Sequence, residues 1–475
     1  MKDRYENPLN ERYASREMQY LFSPLYRAII WRKLWVALAA GEMALGLPIT
    51  PGQVDELKAH VEDIDFDVIA ARERQVRHDV MAHIYAYGKV APGAAGIIHL
   101  GATSCYVTDN GDLIIYKEAL LLLRKKLLFV LGRLRAFALR YKGLPTLGYT
   151  HLQPAQPVTV GKRATLWMHE LLLDLEQMDA LLKSLKLLGN KGTTGTQASF
   201  LELFDGDEAK VDALERYIVE AMEFEGAYPV AGQTYSRKVD DGILGVLGGI
   251  AQSATKFATD LRLLMHMGEI AEPFEEEQIG SSAMAYKRNP MRSERMTSLS
   301  RHIITLRQNT ANTAANQWME RTLDDSANRR ITMGEAFLGV DAILELYANI
   351  TDGLVVYEGV IQKHLEENLP FLATENILME AVKKGGDRQQ VHERIRVHSQ
   401  VAITAMKLEG KDCDLVARLG EDAAIPLTEE EIAAMLLPKN FIGRSEGQVE
   451  DFIREYVDPV LLDGPAEDVL AGITV

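Results

Sequence analysis

Between residues 112 and 141 the apolar positions Leu113, Leu120, Leu123, Leu127, Leu131 and Leu134 recur at the spacing of one helical face. The pattern predicts a helix of roughly 30 residues, about 45 Å long. Thr108-Asp109-Asn110 reads as its cap. Residues 158–188, 236–267, 290–320 and 326–354 show the same periodicity, and Gly189 closes the first of these stretches. Many of the five are apolar around much of their circumference, which implies burial on several sides. Five such helices exceed the needs of one monomer's core. They predict an elongated bundle that also packs against copies of itself.

The flanks carry shorter periods. Pro24 opens a helix running to Leu45, Thr50-Pro51 opens another through His60, and residues 67–87 read as a third, carrying Arg77-His78-Asp79 and His83. Beyond residue 357 the helices shorten again, punctuated by Leu369-Pro370, Gly385-Gly386, Gly410 and Pro426. The expected organisation is all-α in three helical domains: 1–103, a central bundle over 104–356, and 357–475. Stretches alternating apolar and polar, as a strand would, are missing from this reading.

Composition narrows the function classes. A net charge of -16 argues against general nucleic-acid or anionic-membrane binding. Runs of 18 apolar residues are absent, and the N-terminus lacks the apolar stretch of a secretory signal. The two cysteines, Cys105 and Cys413, are far apart in sequence, which fits a reducing cytosol better than a disulfide framework. His-Glu-x-x-His and Cys-x-x-Cys patterns do not occur, so a built-in metal site is not expected, and the Gly/Thr-rich segment 189–197 is not a P-loop.

Against the acidic background, Lys287, Arg288, Arg292 and Arg295 place four cations within nine residues, in and just after the stretch Gln278–Glu294. Gly280, Ser281 and Ser282 favour a mobile loop there, and Pro290 suits the first turn of the helix that follows. Such a loop is either a solvated basic turn or a site for an anionic small molecule. His151 lies in Thr150-His-Leu-Gln-Pro154, whose prolines forbid a helix. It is a polar loop histidine or a proton donor working near neutral pH. Thr103 and Ser104, just before the first long helix, can cap it or bind an anion there. Arg321, Arg329 and Arg330 form either a surface cluster or a phosphate clamp.

The segment Gly280-Ser-Ser-Ala-Met-Ala-Tyr-Lys-Arg-Asn-Pro290 closely resembles the signature loop of the fumarase/aspartase superfamily, usually Gly-Ser-Ser-x-Met-Pro-x-Lys-x-Asn-Pro. Its continuation Met-Arg-Ser-Glu294 looks like the adenylosuccinate lyase family. Ala285 stands where that family usually has proline, which leaves the loop freer. Thr150-His-Leu-Gln-Pro-Ala-Gln156 resembles a second superfamily motif, and the likeness extends over essentially the whole chain.

The resemblance implies three helical domains, a homotetramer whose bundles join in a twenty-helix core, and active sites drawing on three subunits. It implies β-elimination of fumarate from adenylosuccinate, giving AMP, and from the succinylo-aminoimidazole carboxamide ribotide SAICAR, giving AICAR, with no cofactor. Carried over residue by residue, Ser281 is the base with Ser282 as neighbour. His151 is the acid, His78 assists, and Lys287 neutralises a substrate carboxylate. Arg12, Tyr13, Arg77, Asp79, Thr103, Ser104, Gln233, Asn289, Arg295, Arg321, Ser326 and Arg330 bind substrate, and Thr193, Thr194 and Gln197 approach it. Another superfamily lyase, such as argininosuccinate lyase or a cycloisomerase, and a catalytically silent scaffold remain alternatives. Ser281, Lys287 and His151 together argue against the scaffold.

Overall fold

The computed structural model describes residue 3 and residues 5–275 and 277–462; the end of the expected third domain, 463–475, lies outside the described residues. A short π-helical turn (Leu9–Tyr13) precedes α1 (Arg16–Leu21), α2 (Pro24–Ala44), α3 (Pro51–Ala59), α4 (Phe66–Val76) and α5 (Asp79–Val90). Ser23 caps α2 with Pro24 in its first turn, and Thr50 and Gln53 form a capping box on α3. The single helix expected over residues 67–87 is in fact two. Arg77 takes a left-handed conformation (φ 54°) that ends α4, and extended His78 caps α5 by accepting a hydrogen bond from the Met81 amide at 3.4 Å.

The bundle consists of α6 (Ser104–Arg140), α7 (Val160–Ser184), α10 (Lys238–Met267), α11 (Met291–Ala315) and α12 (Asp324–Asp352). Short helices α8 (Ala198–Leu203) and α9 (Glu208–Ala221) lie between α7 and α10, and α13 (Glu358–Leu372) leads into the C-terminal helices. The chain order and the ion pairs and hydrogen bonds at each end make α6, α10 and α12 run one way and α7 and α11 the other. No helix among the described residues is long and apolar enough to cross a membrane.

α6 starts earlier than its periodicity suggested. Thr103 is the residue before its first turn, and the helix spans 37 residues. Asp109 and Asn110 are therefore not a cap but buried interior positions. Asn110 donates to the Tyr106 and Gly189 carbonyls and accepts from the Gly189 amide. Asp109 meets Arg237 of the loop before α10 at 2.8 Å, and Asp325 of α12 meets the same guanidinium at 2.7 Å. Burial works against the Arg237 charge, but Asp109 together with Tyr235 and Asp240 more than offsets it, and its pKa ends above the ordinary arginine value. Replacing Arg237 with leucine strands two buried carboxylates. The expected loss is about 3–5 kcal/mol, read as a lowered urea midpoint of the assembled protein.

A second correction concerns strands. β1 (Pro145–Thr150) and β2 (Gln153–Thr159) form an antiparallel hairpin between α6 and α7, and β3 (Ile270–Ala271) pairs with β4 (Val355–Val356). The prolines at 154 and 157 are tolerated because a two-stranded sheet consists only of edges. Gly148 is required in β1, since a Cβ there would lie 2.5 Å from the Gln156 carbonyl oxygen.

One continuous apolar core joins Trp35 and Leu38 of α2 to Leu127, Phe257 and Tyr347 of the bundle and to Ile361 and Leu365 of α13. Ile377, Val391, Leu415, Leu419 and Ile432 form a separate core in the C-terminal helices.

Candidate active site

Two helix N-termini, those of α6 and α12, meet at one end of the bundle, and most of the expected residues gather there. His78 leaves α4's end so that its Nε2 lies 3.4 Å from Ser104 Oγ on the first turn of α6. Asp79 sits 3.7 Å from the His78 ring and accepts from Arg330 of α12 at 3.2 Å. Gln233 is fixed by its amide donating to the Glu320 carbonyl at 2.9 Å, and its side-chain oxygen lies 3.6 Å from Cys105 Sγ. Arg321 donates to buried Asp325 at 2.9 Å, which aims its guanidinium. Arg77 and Arg330 are exposed, and Thr103, Ser104 and Ser326 are half-buried. Cations and two positive helix ends make this face suited to an anion.

One expected member behaves differently. Arg329 turns inward, donating to Asp240 at 2.6 Å and to the Tyr235 hydroxyl at 2.5 Å, so it supports the bundle instead of gripping a phosphate. His83 packs edge-on against Trp31, and burial pushes its pKa down to about 4, which leaves it neutral. In the loop after α7, Thr193 and Thr194 are exposed, while Gln197 is tied to Asn190 at 2.8 Å.

His151 is far from this face within one chain. It follows α6's C-terminal end, whereas Ser104 is at its N-terminal end. The 37 residues of α6 span about 55 Å. His151 and Leu152 form the two-residue hairpin tip, both with left-handed backbone (φ 55° and 57°) and both exposed. Turns of this kind usually carry Asn-Gly, so a histidine and a leucine there hold strain of the sort that clusters at functional sites.

The signature loop connects α10 and α11 at the hairpin's end of the bundle. A Cβ on Gly280 would lie 2.0 Å from the Lys287 carbonyl oxygen, so the loop's two arms touch backbone to backbone there. Asn289 bridges the arms by donating to the Gly280 carbonyl at 2.7 Å. Ser281 Oγ accepts hydrogen bonds from the Ala283 and Met284 amides at 3.3 and 3.1 Å. Ser282 and Lys287 are exposed, as are Ile279, Met284 and Tyr286. Arg295, in the first turns of α11, lies over the Tyr13 ring at 5.6 Å, and neighbouring Arg12 is exposed. The expected residues thus fall into three groups on one chain: the helix-end face, the hairpin tip, and the loop with Tyr13 and Arg295.

A family profile described as "Lyase" matches residues 52–305, and one described as "Adenylosuccinate lyase C-terminus" matches residues 370–452. The adenylosuccinate lyase of Saccharomyces cerevisiae is 51% identical, covering 97% of this chain and 96% of its own length. That of Schizosaccharomyces pombe is 51% identical over 96% of this chain and 95% of its own. The chain belongs to the adenylosuccinate lyase family.

Membership in the adenylosuccinate lyase family sets aside the readings as argininosuccinate lyase or cycloisomerase. Among solved structures, the 3-carboxy-cis,cis-muconate lactonizing enzyme from Pseudomonas putida matches with a TM-score of 0.83 at 24% identity, covering 95% of this chain and 99% of that one. That likeness extends the all-α fold beyond adenylosuccinate lyases.

Sequence reasoning passed over Glu269, Arg163 and His364, which converge beneath the hairpin. No motif marks them, because their partners lie some 100 positions away in the chain.

Proposed function

We propose that this chain is a C–N lyase that eliminates fumarate from adenylosuccinate, leaving AMP, and from SAICAR, leaving AICAR. The observation that carries the reading is the convergence of His78, Asp79, Ser104, Gln233, Arg321 and Arg330 at two helix N-termini. This face is built to hold a phosphorylated anion.

In the reaction, Ser281 takes a proton from the succinyl carbon next to a carboxylate. The electron pair left behind forms the double bond of fumarate as the C–N bond breaks. His151 delivers a proton to the departing nitrogen. The hydroxyl of Ser281 is a weak base, but the two amides donating to its oxygen favour the deprotonated form. Lys287 adds positive charge when the loop closes over the substrate and excludes water, stabilising the dianionic intermediate. Thr103 and Ser104 hold substrate carboxylate at α6, and His78 assists. Asn289 fixes the loop, while Arg12, Tyr13, Arg77, Arg295, Arg321, Ser326 and Arg330 bind the nucleotide.

The functional assembly is a homotetramer with shared sites. Separation of the three residue groups along one chain supports this. So do Leu121, Leu166, Leu173, Leu263 and Ile331, apolar side chains exposed on the long helices. Free Cys105 and Cys413 suit the cytoplasm. The acidic charge disfavours nucleic acid as a partner.

The test is ultraviolet absorbance of purified protein with adenylosuccinate, with fumarate and AMP assayed in parallel. Equimolar fumarate and AMP are expected, with argininosuccinate left intact. A folded tetramer that leaves adenylosuccinate unchanged would overturn the reading.

A further inference from the structure

Beneath the hairpin that carries His151 lies a fully buried carboxylate, Glu269, two residues past α10. One of its oxygens lies 2.8 Å from His364 Nδ1 on α13 and 3.4 Å from the Tyr149 hydroxyl on β1. The other lies 3.5 Å from Thr146 Oγ on β1 and 3.9 Å from Arg163 on α7. Arg163 in turn donates to the Leu147 carbonyl of β1 at 2.5 Å. The strand leading into His151 is therefore held at Thr146, Leu147 and Tyr149 by one acid and its arginine neighbour. Burial and the Glu269 charge push the Tyr149 phenol up to about 12, so it stays a hydrogen-bond donor.

The same short segment roots the signature loop. Ile270 and Ala271 pair with Val356 and Val355, and the Glu269 carbonyl accepts from the Tyr357 amide at 2.9 Å. Three residues on, buried Glu272 accepts from the Arg292 and Ser293 amides and the Ser293 hydroxyl at 3.0, 2.9 and 2.8 Å. The two ends of the loop are thus clamped together. Four residues connect the support of the proposed acid to the support of the proposed base.

We propose that Glu269 is a positioning residue that fixes the His151 hairpin for proton delivery, tying it to the root of the signature loop and, through His364, to α13. The inference rests on the lyase reading given above. His151 occupies a strained tip with exposed neighbours, so the strand contacts below it set where its ring points. A misplacement of about 1 Å costs on the order of 100-fold in rate.

The experiment uses the full-length assembled enzyme with Glu269→Gln and, separately, His364→Gln, which removes only the tie to α13. Glu269→Gln is expected to lower kcat about 100-fold with KM changed less than about 3-fold, because the anion-binding face lies at the other end of α6. Amide hydrogen exchange should quicken at least tenfold in the hairpin and stay unchanged in α6. His364→Gln should shift both readouts the same way, with a kcat loss of about tenfold. If Glu269→Gln does not fold, His364→Gln decides alone. Full kcat with a loosened hairpin, or faster exchange spread through the whole bundle, would overturn the proposal. If the wild-type enzyme leaves adenylosuccinate untouched, the lyase reading fails, and hairpin exchange still decides whether Glu269 holds the strand.

Discussion

Replacing Ser281 with alanine should lower kcat for adenylosuccinate by about 10⁴-fold while the proposed tetramer stays intact. AMP should still bind with near wild-type affinity, because the phosphate-binding groups lie on other elements. The hydrogen bonds favour the proposed assignment of the base to Ser281 over its neighbour. Its oxygen takes two amide donors inside the loop's own turn, whereas Ser282 points outward from an exposed position. Ser282→Ala should therefore cost no more than about tenfold. Single-turnover measurement of fumarate release separates the two. Equal losses in both variants, or near-full activity in Ser281→Ala, would remove the base assignment.

What the sequence made legible follows from what it can encode locally. The five long helices were readable because their apolar positions repeat every three or four residues and their ends carry Gly or Pro. That Ser281, Lys287 and His151 lie in loops or turns was readable because glycine, proline and serine favour them there, whereas the roles proposed for them came from the resemblance. The misread places share one physical cause, a partner distant in sequence. Asp109 and Asn110 look like a cap until Arg237 and Gly189 are seen to satisfy them inside a helix. Arg329 looks like part of a phosphate clamp until Asp240 and Tyr235 turn it inward. Asp67 to Tyr87 looks continuous because nothing in the local pattern shows that His78 must face Ser104, 26 residues on. The hairpin escaped because its alternation is broken by two prolines and a bulge at Gly148.

The separation between His78 and His151 leads to the second large effect. His78 touches Ser104 at the start of α6, and the hairpin begins just past that helix's other end, about 55 Å away by helical rise. A single elimination site cannot use both from one chain. His78→Ala and His151→Ala are each expected to retain under about 1% of wild-type kcat, since a positioned proton-transfer group is worth roughly 10²–10⁴. When the two inactive proteins are dissociated, mixed in equal amounts and reassembled, some sites recover both histidines. A site is whole only if its His78 comes from a His151→Ala chain and its His151 comes from a His78→Ala chain. Random assortment in a closed oligomer gives each event a chance of one half, so about 25% of wild-type activity should return. Activity that stays at the parental level after confirmed subunit exchange would mean that each site is built from one chain, and the shared-site assembly would have to be abandoned.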